Sequence, residues 1–417
     1  MAVLQHRHHR PGGRGAYCCF VHEVIAFPQA PEGVEVRHLR AFVAVAEELN
    51  FSRAAARLYL SQPALSRQIR TLERILGCEL LRRSTHSVEL TVAGSALLDR
   101  ARRLLADLEE AITATQSVGG ELANRMASLW APVVEVTSAD RDVQEMRAAY
   151  ETFLAQATVP EEVAVRPVTA GGVSSLAITP PGETDTAVLY LHGGGYILGS
   201  AYGYRPLVGA FVAATGTGAL IPDYRLAPEH PFPAALEDAL SAYRWLVAER
   251  AGAGIVLAGD SVGGGLICSL LLTLRAQELP PPAGAVLMCP GVDLSGEADG
   301  EGDPQRAESM RRSRQAYLAG RSPDDPVLSP LTADLTGLPP LLIQTATGDF
   351  AASDSRRLAE HAGNHGVDAR LEVYAADTHV FHVFWSFLPE AADALRQAGG
   401  FIRERLADLP ERARGGA

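Results

Sequence analysis

Ser261 lies in Gly259-Asp260-Ser261-Val262-Gly263, between a short apolar run, Ile255 to Ala258, and a long apolar helical pattern. A serine on a tight strand-to-helix turn is held in a strained backbone, and flanking glycines leave room for the turn and for a substrate. There the Val262 amide can point at a developing oxyanion. A second element follows Val188-Leu189-Tyr190-Leu191, namely His192-Gly193-Gly194-Gly195-Tyr196. Consecutive glycines let backbone amides turn into a cleft, so Gly193 and Gly194 are the expected partners of Val262 in an oxyanion hole. Gly348-Asp349 follows the run Leu341–Thr345, and Asp377-Thr378-His379-Val380-Phe381 follows Leu371–Tyr374. Serine, acid and histidine in this order suit nucleophilic attack on a carbonyl: Ser261 attacks, His379 takes and returns the proton, and Asp349 holds the imidazole tautomer. Asp354 and His382 are the rivals for acid and base, and spacing from the strand ends favours Asp349 and His379. Asp260 reads as a loop-ordering hydrogen-bond acceptor.

Such groups need a rigid frame. Short apolar runs at Val163–Val168, Leu176–Thr179, Ala187–Leu191, Ala219–Pro222, Ile255–Ala258, Ala285–Cys289, Leu341–Thr345 and Leu371–Tyr374 alternate with helical patterns. The alternation predicts an α/β architecture, a mostly parallel sheet covered on both faces. An amphipathic helix is expected before it, from Asp140 to Ala157, with Val143, Met146, Tyr150 and Phe153 on one face.

The glycine turn, the serine turn and Asp223-Tyr-Arg-Leu-Ala-Pro-Glu-His-Pro-Phe-Pro-Ala-Ala-Leu-Glu-Asp together resemble the hormone-sensitive-lipase-like branch of the α/β-hydrolases, the fold-3 esterases, over nearly all of 140–408. Within that branch the chain looks closest to ε-lactone hydrolases and short-acyl esterases. The resemblance implies hydrolysis of a small ester or lactone substrate with no metal and no organic cofactor. It also implies a cap from about 127–165 and from an insertion near 292–325. Arg225 and Glu229 read as fixing a loop under the site. Tyr196, Tyr202 and Phe384 or Trp385 are candidate pocket lining. Asp349-Phe350-Ala351-Ala352-Ser353-Asp354 departs from relatives, which often carry Leu or Val after the acid.

Upstream, Leu39, Phe42, Val43, Val45 and Ala46 form one helix face. Ser52 can cap a second helix, Arg53 to Leu60, and Ser61 a third with Pro63 in its first turn. The third helix turns Leu65, Ile69, Leu72 and Ile75 inward and Gln62, Ser66, Arg67 and Arg70 outward, a surface suited to base edges and phosphates. Glu79 to Thr91 reads as a wing carrying Arg82 and Arg83, and 93–118 as a long helix with Leu97, Leu98, Leu104, Leu105 and Leu108. This stretch closely resembles the winged helix-turn-helix of LysR-type transcriptional regulators, through "FVAVAEELNFSRAAARLYLSQPALSRQIRTLERILGCELLRRS…LTVAG". The resemblance implies DNA binding through 34–92, contacts from Ser61, Gln62, Pro63, Ser66, Arg67 and Arg70, and a homodimer joined by the long helix. The wing tip, Thr85-His86-Ser87, lacks the basic residues often found there. Such regulators continue into a periplasmic-binding-protein-like effector domain, and this chain does not.

The expected domains are thus an extension at 1–33, a DNA-binding domain at 34–92, a helix and polar linker at 93–125 around Gly119-Gly120, and a hydrolase with its cap at 126–417. Met126-Ala-Ser-Leu-Trp also resembles the start of a free-standing hydrolase. The 417 residues suit two or three domains, and 47% hydrophobic residues with 39 glycines suit a globular α/β chain. No apolar stretch reaches the ~18 residues of a membrane span. Five scattered cysteines, Cys18 and Cys19 adjacent, are no disulfide framework and point to a cytoplasmic location. All 37 basic residues are arginine. Residues 1–125 carry 16 of them against 13 carboxylates, net +3, whereas the remainder carries 21 against 36, net −15, so only the N-terminal part suits nucleic acid. His6, His8 and His9 lack a second ligand group at a fixed spacing and are not read as a metal site. Two readings remain: an esterase fused to a DNA-binding module, or a transcription regulator whose hydrolase domain senses a small molecule.

Overall fold

The computed structural model describes residues 33–83, 88–138, 141–182, 186–250, 254–296 and 304–407. The expected extension up to residue 32, with His6, His8, His9, Cys18 and Cys19, and the wing tip Thr85-His86-Ser87 lie outside the described residues. The chain divides into two compact units, Met1–Val118 and Gly119–Ala417.

In the N-terminal unit, α1 (Val36–Glu48), α2 (Phe51–Arg57) and α3 (Gln62–Leu76) precede a two-stranded wing, β1 (Leu81–Arg83) and β2 (Val88–Leu90), and the start of α4 (Val92–Ser138). Phe42 and Val45 of α1 share a core with Leu65, Ile69 and Leu72 of α3. The cap of α2 is Asn50, not Ser52: its carboxamide accepts from the Arg53 amide at 3.0 Å, and Ser52, already inside the helix, donates to Gln62 Oε1 at 3.3 Å. Ser61 caps α3, accepting from Ala64 N at 3.4 Å, and Gly77 ends that helix in the left-handed region. The Glu73 carboxylate accepts from the amides of Leu80 and Leu81 at 3.0 and 3.2 Å, tying the wing to α3.

Residues 119–125, expected as a polar linker, are helical instead. Leu122, Met126, Leu129 and Val133 recur along this part of α4 and pack into the core of the C-terminal unit, and that burial outweighs the glycine pair's weak helix preference. Met126, the alternative start, is a buried part of that core. Next comes α5 (Val143–Leu154), shorter than expected and capped by Asp142, which accepts from Gln144 N at 2.6 Å.

The sheet of the C-terminal unit has the order β10-β9-β8-β7-β5-β6-β4-β3. Its strands are β3 (Ala164–Ala170), β4 (Val173–Thr179), β5 (Thr186–Leu191), β6 (Gly218–Pro222), β7 (Val256–Asp260), β8 (Gly284–Met288), β9 (Leu341–Ala346) and β10 (Ala369–Tyr374). Each corresponds to an expected run, with ends displaced by a few residues. The six from β6 to β10 in sheet order pair in parallel, and β4 runs antiparallel to both its neighbours. Every residue of β5, β6, β7, β8 and β9 is buried, so both sheet faces are covered. Around them lie α6 (Arg205–Thr215), α7 (Ala234–Glu249), α8 (Val262–Ala276), α9 (Pro304–Leu318), α10 (Ala352–Asn364) and α11 (Pro389–Ala407), with α6 packed on α11 and α7 on α8. The carboxyl ends of β5, β7, β9 and β10 are followed by the glycine turn, Ser261, Asp349 and His379. Among the described residues, no helix is long and apolar enough to cross a membrane.

Candidate active site

Ser261 has φ 52° and ψ −125° between β7 and α8. A side chain beyond glycine in this region costs ~1–3 kcal/mol, held here by the packed strand and helix. The approach is close: a Cβ at Gly263 would sit 2.1 Å from the Leu191 carbonyl oxygen, so only glycine lets α8 begin against the end of β5. The amides of Gly264 and Gly291 donate to the Ser261 carbonyl at 3.0 and 2.9 Å, fixing the turn.

The His379 ring bridges two sequence-distant groups. Its Nε2 is 2.8 Å from Ser261 Oγ and its Nδ1 2.7 Å from Asp349 Oδ1. A carboxylate can only accept from Nδ1–H, which leaves Nε2 to accept from the serine hydroxyl. Asp349 also accepts from Thr345 Oγ1 at 3.1 Å and from the Ala351 amide at 2.9 Å. Burial works against its charge, yet the His379 imidazole beside it and bonds from His379, the Cys289 thiol and the Ala351 amide hold its carboxyl below the ordinary carboxylate value. The proximity of Cys289, Asp349 and His379 is accounted for by this bonding and is no evidence for a metal.

The rivals are engaged by other partners. Asp354 Oδ2 accepts from the amides of Val292 and Asp293 at 3.1 and 3.0 Å, tethering the loop after β8. His382 is wholly buried, 3.2 Å from Gln344 Oε1, and burial lowers its pKa to about 3.

The glycine turn departs from expectation at one residue. The Gly193 amide donates to Asp260 Oδ1 at 3.1 Å and faces away from the cavity. By contrast Gly194, Gly195 and Val262 line that cavity with Ser261, and among the described residues their amides make no bond to a protein acceptor. Gly195 was not among the expected donors. Gly194 has φ 111°, and a Cβ there would meet the Leu198 carbonyl oxygen at 2.3 Å. Asp260, fully buried, also accepts from Tyr190 and Tyr204 at 2.8 and 2.9 Å, and burial raises its pKa to about 6 despite those donors. His192 stacks between Tyr204 and Tyr224, and burial lowers its pKa to about 4.

A cavity of about 550 Å³ opens above Ser261. Trp130 and Val133 of α4, Met146 and Tyr150 of α5, and Met310 and Ser313 of α9 cover it, so both expected cap segments contribute. Of the expected lining, Tyr196 is present, stacked on Tyr317 with ring centroids 3.6 Å apart. Tyr202 is exposed under the Arg205 guanidinium, while Phe384 and Trp385 lie outside the cavity wall. Phe350, at the departure noted in the sequence, lies against the His379 ring with centroids 4.1 Å apart. The Arg225 guanidinium clamps Asp238 through Nε and Nη2, and Glu229 pairs with Arg147 of α5 at 2.7 Å.

In the N-terminal unit Ser61, Gln62, Pro63, Arg67 and Arg70 are exposed along the start of α3, with Ser66 half-buried. Arg70 Nε donates to the Ser66 carbonyl at 3.2 Å.

A strained serine after a central strand, an acid and a histidine after later strands, and glycine amides after a fourth define an α/β-hydrolase. Residues 188–383 match the family model for the alpha/beta hydrolase fold. An acetyl-hydrolase of Streptomyces hygroscopicus is 38% identical over 63% of this chain and 90% of its own length. An acetyl-hydrolase of Mycobacterium tuberculosis, LipR, carrying a putative assignment, is 34% identical over 64% and 90%. A crystallised esterase of the bacterial hormone-sensitive lipase family is 36% identical, covers 67% of this chain and 98% of its own, and superposes with a TM-score of 0.61. The chain belongs to the α/β-hydrolase family, in its hormone-sensitive-lipase-like esterase branch. Residues 36–95 match the model for bacterial regulatory helix-turn-helix proteins of the lysR family, so the N-terminal unit is a helix-turn-helix of that type.

Proposed function

We propose that the C-terminal unit hydrolyses small carboxylic esters or lactones through Ser261, His379 and Asp349. The observation that carries this is the continuous bonding from Ser261 Oγ through His379 to Asp349 beneath a largely apolar cavity. Ser261 Oγ attacks the carbonyl carbon as His379 Nε2 takes the hydroxyl proton, and the oxygen's new charge is met by the amides of Gly194, Gly195 and Val262. Collapse of this intermediate breaks the ester bond, and the proton on His379 passes to the leaving alcohol. Water then repeats the sequence on the acyl-enzyme, releasing the acid and restoring Ser261. No step calls for a metal or organic cofactor. The names of the relatives, acetyl-hydrolases and esterases, support the same substrate class. Hydrolysis of p-nitrophenyl acetate and butyrate by the full-length protein tests it. Ser261→Ala should abolish turnover while leaving the fold unchanged, and retained turnover would sink the assignment.

For the N-terminal unit we infer DNA binding through the start of α3, with Ser61, Gln62, Pro63, Ser66, Arg67 and Arg70 at the groove. Two copies would pair through the first half of α4, where Leu104 is exposed. The lysR-family match also favours a second reading, in which an ester or its product in the cavity alters operator affinity. Operator binding by Ser261→Ala with and without candidate esters tests it, and affinity that never changes argues against a sensor.

A further inference from the structure

An aromatic cluster adjoins the catalytic cavity. Trp130 lines it, and the Trp130 indole stacks on Phe153 with centroids 4.0 Å apart and meets Phe384 edge-on at 6.5 Å. Phe153 and Phe384 in turn contact each other edge to face at 6.3 Å. These two rings do not line the catalytic cavity. They line a second one, of about 120 Å³, with Leu129, Ala157, Leu207 and Phe387. No residue lines both cavities.

We infer that Trp130, backed by Phe153 and Phe384, is the residue that limits acyl-chain length, and that the second cavity is a blocked continuation of the acyl site. The inference rests on the ester-hydrolase reading of Ser261. Direction comes from the chemistry of the two ends. The leaving oxygen must lie near His379 Nε2, and with it near Phe350, which contacts the ring, and the adjoining Asp377 and Thr378. Among the other lining residues, Trp130, Met146, Tyr150 and Leu198 are predominantly apolar and suit a hydrocarbon tail. A chain lying along these residues would meet the Trp130 ring, which also lines the cavity. Because Trp130 stacks face to face on Phe153, it cannot tilt aside without forfeiting that contact.

The test is a p-nitrophenyl ester series from acetate to laurate on the full-length protein, read as kcat/KM. The wild type should fall by at least about tenfold between butyrate and decanoate, because chain that cannot enter the site forfeits transition-state binding. Trp130→Ala should raise the decanoate-to-butyrate ratio about tenfold or more, and Trp130→Leu, which keeps an apolar residue in α4, should raise it less. Ala157→Trp, placed in the Trp130→Ala background, should fill the second cavity and return the ratio to the wild-type value. Equal hydrolysis of butyrate and decanoate by the wild type would overturn the inference, as would an unchanged ratio in the Trp130 variants that still turn over butyrate. A gain that Ala157→Trp does not cancel would show that the chain goes elsewhere. Wild-type protein with no activity on any ester would instead overturn the hydrolase reading itself.

Discussion

Asp260 holds the Gly193 amide at 3.1 Å, so the residue beside the nucleophile orders the first glycine of the turn and leaves the next two to face the cavity. Tyr190 and Tyr204 saturate the same carboxylate, and Tyr204 Oη lies 2.8 Å from Tyr150 Oη on cap helix α5. Cap, glycine turn and nucleophile turn therefore share one buried acceptor.

Asp260→Asn should cost about 1–3 kcal/mol, because one acceptor becomes a donor facing buried donors. Turnover of p-nitrophenyl acetate should fall by less than about tenfold, because the carboxamide oxygen can still accept from the Gly193 amide and Tyr190 while the amide nitrogen faces Tyr204. The sign of the pH dependence is fixed. The folded value, about 6, lies above the ordinary 3.8, so the folded protein binds this proton more tightly and the contribution to stability falls as pH rises from about 4 to about 6. Urea unfolding of wild type minus variant should show that fall and be level above pH 6.

Asp349→Asn should lower kcat by about 10⁴-fold, since the amide no longer fixes the His379 tautomer or its charge. Asp354→Asn should lose less than about tenfold, because its carbonyl oxygen can still accept from Val292 and Asp293. Equal losses in the two variants would remove Asp349 from the acid's role.

The order of serine, acid and histidine was legible because the central strands β5 to β9, buried on both faces, read as unbroken apolar runs, with β5, β7 and β9 ending at reactive residues. The partly exposed β3, β4 and β10 were legible from their shorter apolar runs. Gly193 was misjudged for a physical reason. Three consecutive glycines carry equivalent amides, and which ones face the cavity depends on a carboxylate 67 positions away. Residues 119–125 were misread because Gly119-Gly120 is a local breaker signal, while the packing of Leu122, Met126 and Leu129 is tertiary. Asn50 outcompeted Ser52 as a cap by its backbone conformation, which composition alone does not give.

Phe350 explains the departure after the acid: its ring lies 4.1 Å from His379, tilted by 34°, with the Arg306 guanidinium 5.1 Å from the centre of its ring. An offset aromatic contact of this kind is worth ~0.5–1.5 kcal/mol, and Phe350→Ala forfeits it while admitting water beside the base. The expected result is a kcat loss of about 2- to 10-fold in steady-state assays, with Phe350→Leu nearer the wild type.

Arg67→Ala should weaken DNA binding and reduce the slope of log affinity against log salt by about 1, as loss of one phosphate contact does. Gln62→Ala should instead relax sequence preference with the slope unchanged. Titrations of full-length protein at several salt concentrations separate the two, and a slope unaffected by Arg67→Ala would remove that residue from the backbone contacts.

Arg147 binds cap helix α5 to the body through the Ile197 carbonyl at 2.8 Å, the Ala227 carbonyl at 3.0 Å and Glu229 at 2.7 Å. Its hydrogen bonds pull Glu229 down to about 2 from the ordinary 4.5. A depressed carboxylate contributes stability that is present above the ordinary value and lost as pH falls from about 4.5 toward 2. Because the pair is partly exposed, screening makes its share small and salt-dependent. The two carbonyl bonds are less screened, so Arg147→Ala should leave the cap loosely held at every pH and raise KM more than it lowers kcat. Glu229→Gln should keep the carbonyl bonds, leave KM close to the wild type, and remove only the stability change between pH 4.5 and 2. Urea unfolding across that range, with ester kinetics at pH 7, separates the two variants, and matching KM values in both would show that the carbonyl bonds do not hold the cap.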